Sequence, residues 1–185
     1  EALDTADLLL VSVRRRTPPK AQLDRIRAYI AAGKPVVGIR TASHAFSLRN
    51  NQPPPPGHAA WPEFDAEVLG GHYIGHHAEP GPGKPRTLVA LISAQREHPL
   101  LAELPQDEIA VGSSLYKTSP LAPTALALVM GRVEGQEPAE PAAWTNATAQ
   151  GGRVFYTSLG HPDDFKLPFF RRLLRNGIFW ALGKE

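Results

Sequence analysis

Four groups of residues in this sequence have types and spacings that suit chemistry. Two are polar turns, each directly after an apolar run and each carrying a histidine. Arg40 and His44 follow Val36-Val37-Gly38-Ile39, and His161, Asp163 and Asp164 follow Val154-Phe155-Tyr156-Thr157-Ser158. A histidine with a carboxylate two residues on can be held in one tautomer and poised as base or acid. The same stretch can equally be a helix start, with Asp163 or Asp164 as the N-cap. The third group is His72, Tyr73, His76, His77 and Glu79. Near-adjacent histidines can be metal ligands, but no His-Glu-x-x-His pattern is present, and solvent-facing loop histidines are the alternative. The fourth is Tyr116-Lys117, where Lys117 can hydrogen-bond a sugar or an anion, or stand in solvent. His58 and His98 sit beside Gly or Pro in turns and are given no role.

The elements that must position these groups follow from the apolar pattern. Residues 7–13 read as a buried strand. Thr17-Pro18-Pro19 opens a helix over residues 20–32, with Leu23, Ile26, Arg27 and Ile30 at i, i+3, i+4 and i+7, and Gly33 as its cap. Pro35 to Ile39 is a second strand, so residues 7–39 form a β-α-β unit with a right-handed crossover. The carboxyl edge of such a sheet is where open α/β folds place ligands, and both histidine turns can share it. Further along, the pattern predicts a short helix over residues 61–69, a strand over 87–92 and an extended segment over 109–116. Strands over 126–130 and 142–145 follow, with a polar loop 131–141 between them, and then a strand over 154–158. A closing helix over residues 166–182 carries Phe169, Phe170, Leu173, Leu174, Ile178 and Trp180, a stripe that reads as core.

Composition narrows the classes. The chain has 185 residues and no cysteine, which removes disulfides, Cys-ligated zinc, iron–sulfur clusters and thiol catalysis together. Apolar residues make up 42%, which suits a folded core, and no apolar run approaches the ~18 residues of a membrane span. The formal net charge is only +2. The clusters Arg14-Arg15-Arg16 and Arg171, Arg172, Arg175 lack interleaved aromatics, so they read as solvated faces rather than a nucleic-acid surface. The 19 prolines concentrate in the loops 53–56 and 80–85, and no repeat is visible.

Several separated motifs, in order, resemble one family. Gly38-Ile39-Arg40-Thr41-Ala42-Ser43-His44-Ala45-Phe46, Leu69-Gly70-Gly71-His72-Tyr73-Ile74-Gly75-His76-His77, Gly112-Ser113-Ser114-Leu115-Tyr116-Lys117 and Tyr156-Thr157-Ser158-Leu159-Gly160-His161 resemble the trehalose-utilisation, or ThuA-like, family. The resemblance covers nearly the whole chain. It implies a flavodoxin-like three-layer α/β sandwich with a mostly parallel sheet, similar to the class I glutamine amidotransferases. In those enzymes a strand leads to Gly-x-Cys at a tight elbow, and His-Pro-Glu comes later. Here Arg40 stands where the nucleophilic cysteine would be, and His161-Pro162-Asp163 stands in the later position. Glutaminase chemistry through a thioester is thereby excluded. A fixed guanidinium at the elbow offers an anion or oxyanion site instead.

The resemblance further implies a role in disaccharide or keto-sugar metabolism. The expected function is acid/base chemistry on a sugar, as isomerase, lyase or hydrolase, with Arg40 as fixed cation and His161, oriented by Asp163, moving a proton. His44, Tyr73, His76, His77, Tyr116 and Lys117 are expected to contact substrate. A divalent metal such as zinc is a further candidate, with His44, His77 and His161 as ligands. The alternatives are a non-catalytic sugar-binding or scaffold domain of a larger protein, and a metal-dependent hydrolase. The expected partner is a small-molecule carbohydrate, with no nucleic acid and no membrane span, and homo-oligomerisation is left open. The chain opens almost at once on a buried strand. The expectation is therefore one ThuA-like domain, residues 1–185, that begins upstream with at least one more β-α unit. The compartment, cytoplasmic or secreted/periplasmic, is not fixed by this stretch of sequence.

Overall fold

Period-two alternation of apolar residues dictates how the chain layers itself. In a strand, successive side chains point to opposite faces. Val36, Val154 and Tyr156 accordingly join one buried cluster, while Val37, Ile39 and Phe155 join another. The computed structural model describes residues 2–184. In chain order its helices and strands are α1 (Ala2–Thr5), β1 (Leu9–Val11), α2 (Lys20–Ala31), β2 (Val36–Ile39), β3 (Gly75–His76), β4 (Thr87–Leu91), β5 (Ile109–Val111), β6 (Tyr116–Lys117), β7 (Leu126–Val133), β8 (Glu140–Ala147), β9 (Arg153–Thr157) and α3 (Pro168–Ala181). Seven strands make one sheet in the order β1-β2-β9-β8-β7-β4-β5, and β3 pairs with β6 in a separate two-stranded ribbon.

The α/β sandwich is as expected, but the sheet is mixed rather than mostly parallel. Only β1, β2 and β9 run parallel to their neighbours, while β9–β8, β8–β7, β7–β4 and β4–β5 are antiparallel. The reason lies in the connections. Residues 134–139 join β7 to β8 and residues 148–152 join β8 to β9. A parallel crossover needs about a dozen residues or more, whereas loops this short can only close hairpins. The polar loop expected over residues 131–141 is correspondingly shorter, because Gly131 pairs with Glu140 and Met130 with Pro141. The β-α-β unit over residues 7–39 is present, with β1 and β2 in parallel register around α2.

Helix α2 covers one face of the sheet with Leu23, Tyr29 and Ile30, against Val36, Trp144, Val154 and Tyr156. It ends before Gly33, whose φ of +72° is the left-handed cap conformation. Helix α3 covers the other face with Phe169, Phe170 and Leu173, against Val37, Phe155 and Leu159. Each large side chain buried this way contributes roughly 1.5–3 kcal/mol. The helix expected over residues 61–69 contracts to one wide turn, Asp65–Leu69, closed by Gly70 in the left-handed conformation at φ 74°. The extended segment expected over residues 109–116 divides into β5 and the start of β6, with the Gly112–Ser114 turn between them.

The fit of α3 on β9 is close at Gly177, where an added Cβ would lie 2.1 Å from Phe155 Cδ1. Phe155 is fully buried. An exposed helical Gly→Ala change would gain about 1 kcal/mol from propensity. Here overpacking wins, and Gly177→Ala should lose about 1–3 kcal/mol net, read as a lower urea midpoint at unchanged m-value. A midpoint at or above that of the parent would show that α3 can lift off β9 at little cost.

Candidate functional site

Strands β2 and β9 pair in parallel from Val36↔Val154 to Ile39↔Thr157, so both chains leave the sheet at the same edge. Each then enters a polar turn. After β2 comes the tight turn Arg40–His44, and Arg40 itself has φ 46°. A non-glycine residue in this region is uncommon and strained, and such residues gather at functional sites. The strain is held from below. The Tyr156 hydroxyl donates to the Arg40 carbonyl at 2.7 Å. Its ring can lie there because residue 38 is glycine, where a Cβ would stand 2.8 Å from Tyr156 Cδ2.

The guanidinium of Arg40 is fixed as firmly as its backbone. Nη2 donates to Ser114 Oγ at 3.2 Å, and Nη1 makes a long contact with the Ser158 carbonyl at 3.5 Å. Its Cζ stands 5.2 Å from the Tyr116 ring centroid, and Nη2 lies 3.9 Å from a Glu79 carboxylate oxygen. The Arg40 side chain is only 16% exposed.

Two cavities meet at Arg40 and Glu79. The first, about 430 Å³, is lined by Arg14, Arg15, Arg40, Thr41, His44, Arg49, Asn50, Tyr73, Gly75, His76, Glu79 and Tyr116. Three rings cluster in its wall: Tyr73 stacks on His44 at 4.6 Å and lies tilted 4.7 Å from Tyr116, with His44 and Tyr116 6.1 Å apart. The β3–β6 ribbon places these groups, since His76 pairs directly with Tyr116. The second cavity, about 470 Å³, is lined by Arg40, Glu79, Pro80, Gly81, Gly112, His161 and Asp163.

In the second cavity His161 Nδ1 lies 3.2 Å from the Asp163 amide and 3.5 Å from Asp163 Oδ2. Asp163 is shared with Lys166, whose Nζ donates to Oδ1 at 2.6 Å and is the main cause of the lowered Asp163 pKa. Neither Asp163 nor Asp164 caps α3 through its side chain; the N-cap is Leu167. Asp164 is instead fully buried and accepts from Gly112, Ser113, Gly160 and His161.

Of the residues expected at a site, Arg40, His44, Tyr73, His76 and Tyr116 share the first cavity, and Arg40, His161 and Asp163 share the second. His77 and Lys117 line neither; Lys117 is exposed on β6, and His77 donates its amide to the Leu115 carbonyl at 2.8 Å. Among the described residues no three His, Asp or Glu side chains converge as metal ligands, so His44, His77 and His161 are not brought together as a set. Arg14 and Arg15, read from sequence as a solvated face, instead line the first cavity, and Arg49 and Asn50 join them unanticipated. The available signal was position: Arg14-Arg15 follows β1 at the same carboxyl edge as the two histidine turns.

The whole chain fits one family. Residues 1–181 match the model for ThuA, described as trehalose utilisation, and the protein belongs to that family. No match was found among curated proteins. Among solved structures it is similar to a protein described as ThuA-like from Bacteroides uniformis, at 21% identity and a TM-score of 0.70, covering 99% of this chain and 72% of that one. A second such protein, from Parabacteroides merdae, matches at 20% identity and 0.66, covering 98% and 72%. A protein described as a component of GMP synthase, from Thermoplasma acidophilum, matches at 17% identity and 0.58, covering 98% and 75%. These likenesses show a shared fold. Among the described residues no helix is long and apolar enough to cross a membrane.

Burial sets two opposing titrations at the site. His44 is pushed down to about 4, first by burial and then by the charges of Arg15, Arg14 and Arg40. Asp65 is pushed up to about 6 by burial, although its Oδ2 accepts the Tyr73 amide at 2.7 Å. Between pH 4 and 6 the folded protein therefore keeps a proton on Asp65 that the unfolded chain has lost, and lacks one on His44 that the unfolded chain holds. Through this window Asp65 makes stability fall as pH rises and His44 makes it rise, each by up to about 3 kcal/mol. Relative to the parent, Asp65→Asn should gain stability on going from pH 4 to 6 and His44→Gln should lose it. Urea denaturation at stepped pH measures both, and differences independent of pH would refute the assignment.

Proposed function

We propose that this ThuA-family protein is a carbohydrate-processing enzyme that acts on a sugar or keto-sugar by proton transfer. The observation that carries the reading is Arg40, strained at φ 46° where two cavities meet. With no cysteine in the chain and Arg40 at the elbow, a glutaminase thioester has no nucleophile. A sugar ring would lie against the half-buried Tyr73 ring, with its carbonyl or hydroxyl oxygen at the Arg40 guanidinium. His76 and Thr41 border the same space.

The chemistry follows from the second cavity. His161 Nδ1 faces both an amide N–H and a carboxylate of Asp163. In the structure the Asp163 amide donates to Nδ1. When the ring exchanges that contact for an Nδ1–H directed at Asp163 Oδ2, 3.5 Å away, the Nε2 lone pair is free to take a proton from the carbon beside the carbonyl. The electron pair moves onto the carbonyl oxygen, where Arg40 stabilises the enolate, and the imidazolium keeps Nδ1–H toward Asp163. Returning the proton to the former carbonyl carbon, while the adjacent hydroxyl proton passes to the enolate oxygen, completes an isomerisation. Expelling a β-alkoxide, protonated by the same imidazolium, completes an elimination. A metal-dependent hydrolysis has less support, given the lack of a converging ligand set among the described residues.

One observation favours a second reading, a non-catalytic sugar-binding or scaffold domain: Asp163 is exposed and already paired with Lys166 at 2.6 Å. Turnover separates the two over a panel of disaccharides and their keto derivatives. Arg40→Ala and His161→Ala should each lower kcat/KM by about 100-fold or more while thermal unfolding stays cooperative. Full activity in His161→Ala would end the acid/base role, and binding without turnover across the panel would favour the binder.

A further inference from the structure

Three facts about the first cavity are not explained by a neutral sugar. The first is charge. Arg14, Arg15, Arg40 and Arg49 all line it, against one carboxylate, Glu79. Glu79 is within reach of Arg40 alone, at 3.9 Å. Among the described residues no carboxylate pairs with Arg14, Arg15 or Arg49. Guanidiniums crowded in one cavity without counter-ions repel one another, and the arrangement is relieved by an anion.

The second is backbone. Four non-glycine residues have left-handed φ among the described residues, namely Arg15 (49°), Arg40 (46°), Asn50 (54°) and Glu103 (58°). Three of the four line this one cavity. Strain gathered at one place is the mark of side chains held in position by the surrounding structure.

The third is anchorage. The Arg15 amide donates to the His44 carbonyl at 3.1 Å and the Arg16 amide to the Ala45 carbonyl at 2.6 Å. The arginine segment is thus stitched to the turn that carries Arg40, and does not trail in solvent.

We propose that the ligand of this site is an anionic sugar, one carrying a carboxylate or a phosphate, whose charged group is held by Arg14, Arg15 and Arg49 while its ring rests on Tyr73. The inference rests on the carbohydrate reading above and sharpens it to a substrate class. It also separates the roles of the arginines. Arg40, engaged with Glu79, Ser114 and Tyr116, is kept for the reacting oxygen, and the other three supply the anchor. A guanidinium fork matches both carboxylate and phosphate geometry, so the site's chemistry is shared between them.

The test is titration calorimetry on the intact chain at low and high NaCl with glucose, glucuronate and glucose 6-phosphate. One or both anionic sugars should bind at least about tenfold more tightly than glucose, with an advantage that shrinks at high salt. The tighter of the two identifies carboxylate or phosphate. Arg49→Gln and the double variant Arg14→Gln/Arg15→Gln should each lose about tenfold or more in anionic-sugar affinity, a larger factor than either loses for glucose. Equal affinity for all three sugars, or anionic binding indifferent to both variants, overturns the proposal. Failure of the acid/base reading looks different: His161→Ala would keep turnover while the charge selectivity measured here stands.

Discussion

A single buried carboxylate holds the two halves of the site together. Asp164 is fully buried, and its oxygens accept from the amides of Gly112, Ser113, Gly160 and His161 and from the Ser113 hydroxyl at 2.5–3.2 Å. A carboxylate taken out of water without such partners would cost far more than any packing around it returns. With them, it fastens the turn after β9 to the Gly112–Ser114 turn, segments about fifty residues apart in sequence. Everything downstream depends on that link. The Ser114 hydroxyl reaches Arg40 from the fastened turn, and β6 leaves it carrying Tyr116. The amide of His161, two atoms from its Cβ, is held by the same carboxylate.

Much of this was legible in the sequence, and the part that was not has a physical cause. Runs such as Val36 to Ile39 and Val154 to Thr157 announce strands because nearly every position is apolar or β-branched, and both are found. What such runs lack is direction. Whether β8 meets β9 parallel or antiparallel depends on the length of the intervening loop, and the polar stretch near residues 131–141 hid the ends of two long strands. The site was legible where a residue stood in a motif, as with Arg40, His44, Tyr73 and Tyr116. It was illegible where position in the sheet decided the matter. Arg14-Arg15 looks like any solvated charge run until β1 is known to end beside β2. Asp164 reads as a helix cap because its neighbours in sequence form a helix, yet its true partners at residues 112–113 lie far off in the chain.

The ribbon formed by β3 and β6 shows how little regular structure a site needs when one end is tied. It contains only two residue pairs, Gly75↔Lys117 and His76↔Tyr116. A ribbon this short has no stability of its own. Its neighbours supply it. Asp65 Oδ2 takes the Tyr73 amide just before β3, and buried Glu140 takes the amides of Thr118 and Ser119 just after β6. The strands are antiparallel, so both inward carboxylates clamp the same end of the ribbon, the end at which Tyr73 enters beside His44 and Tyr116.

The charges of the site divide into those that titrate and those that do not. Guanidiniums keep their charge throughout the physiological range, so what Arg14, Arg15, Arg40 and Arg49 contribute to the first cavity is constant. His44, pushed down to about 4, adds no cation to it near neutrality. Asp65, pushed up to about 6 by burial, does not line the cavity, so its ionisation near neutrality places no carboxylate among the arginines. His161 and Asp163 stand on the far side of Arg40, at the wall of the second cavity. Arg40 belongs to both sides, which is why its strained backbone is secured by the Tyr156 hydroxyl below and its guanidinium by Ser114 above.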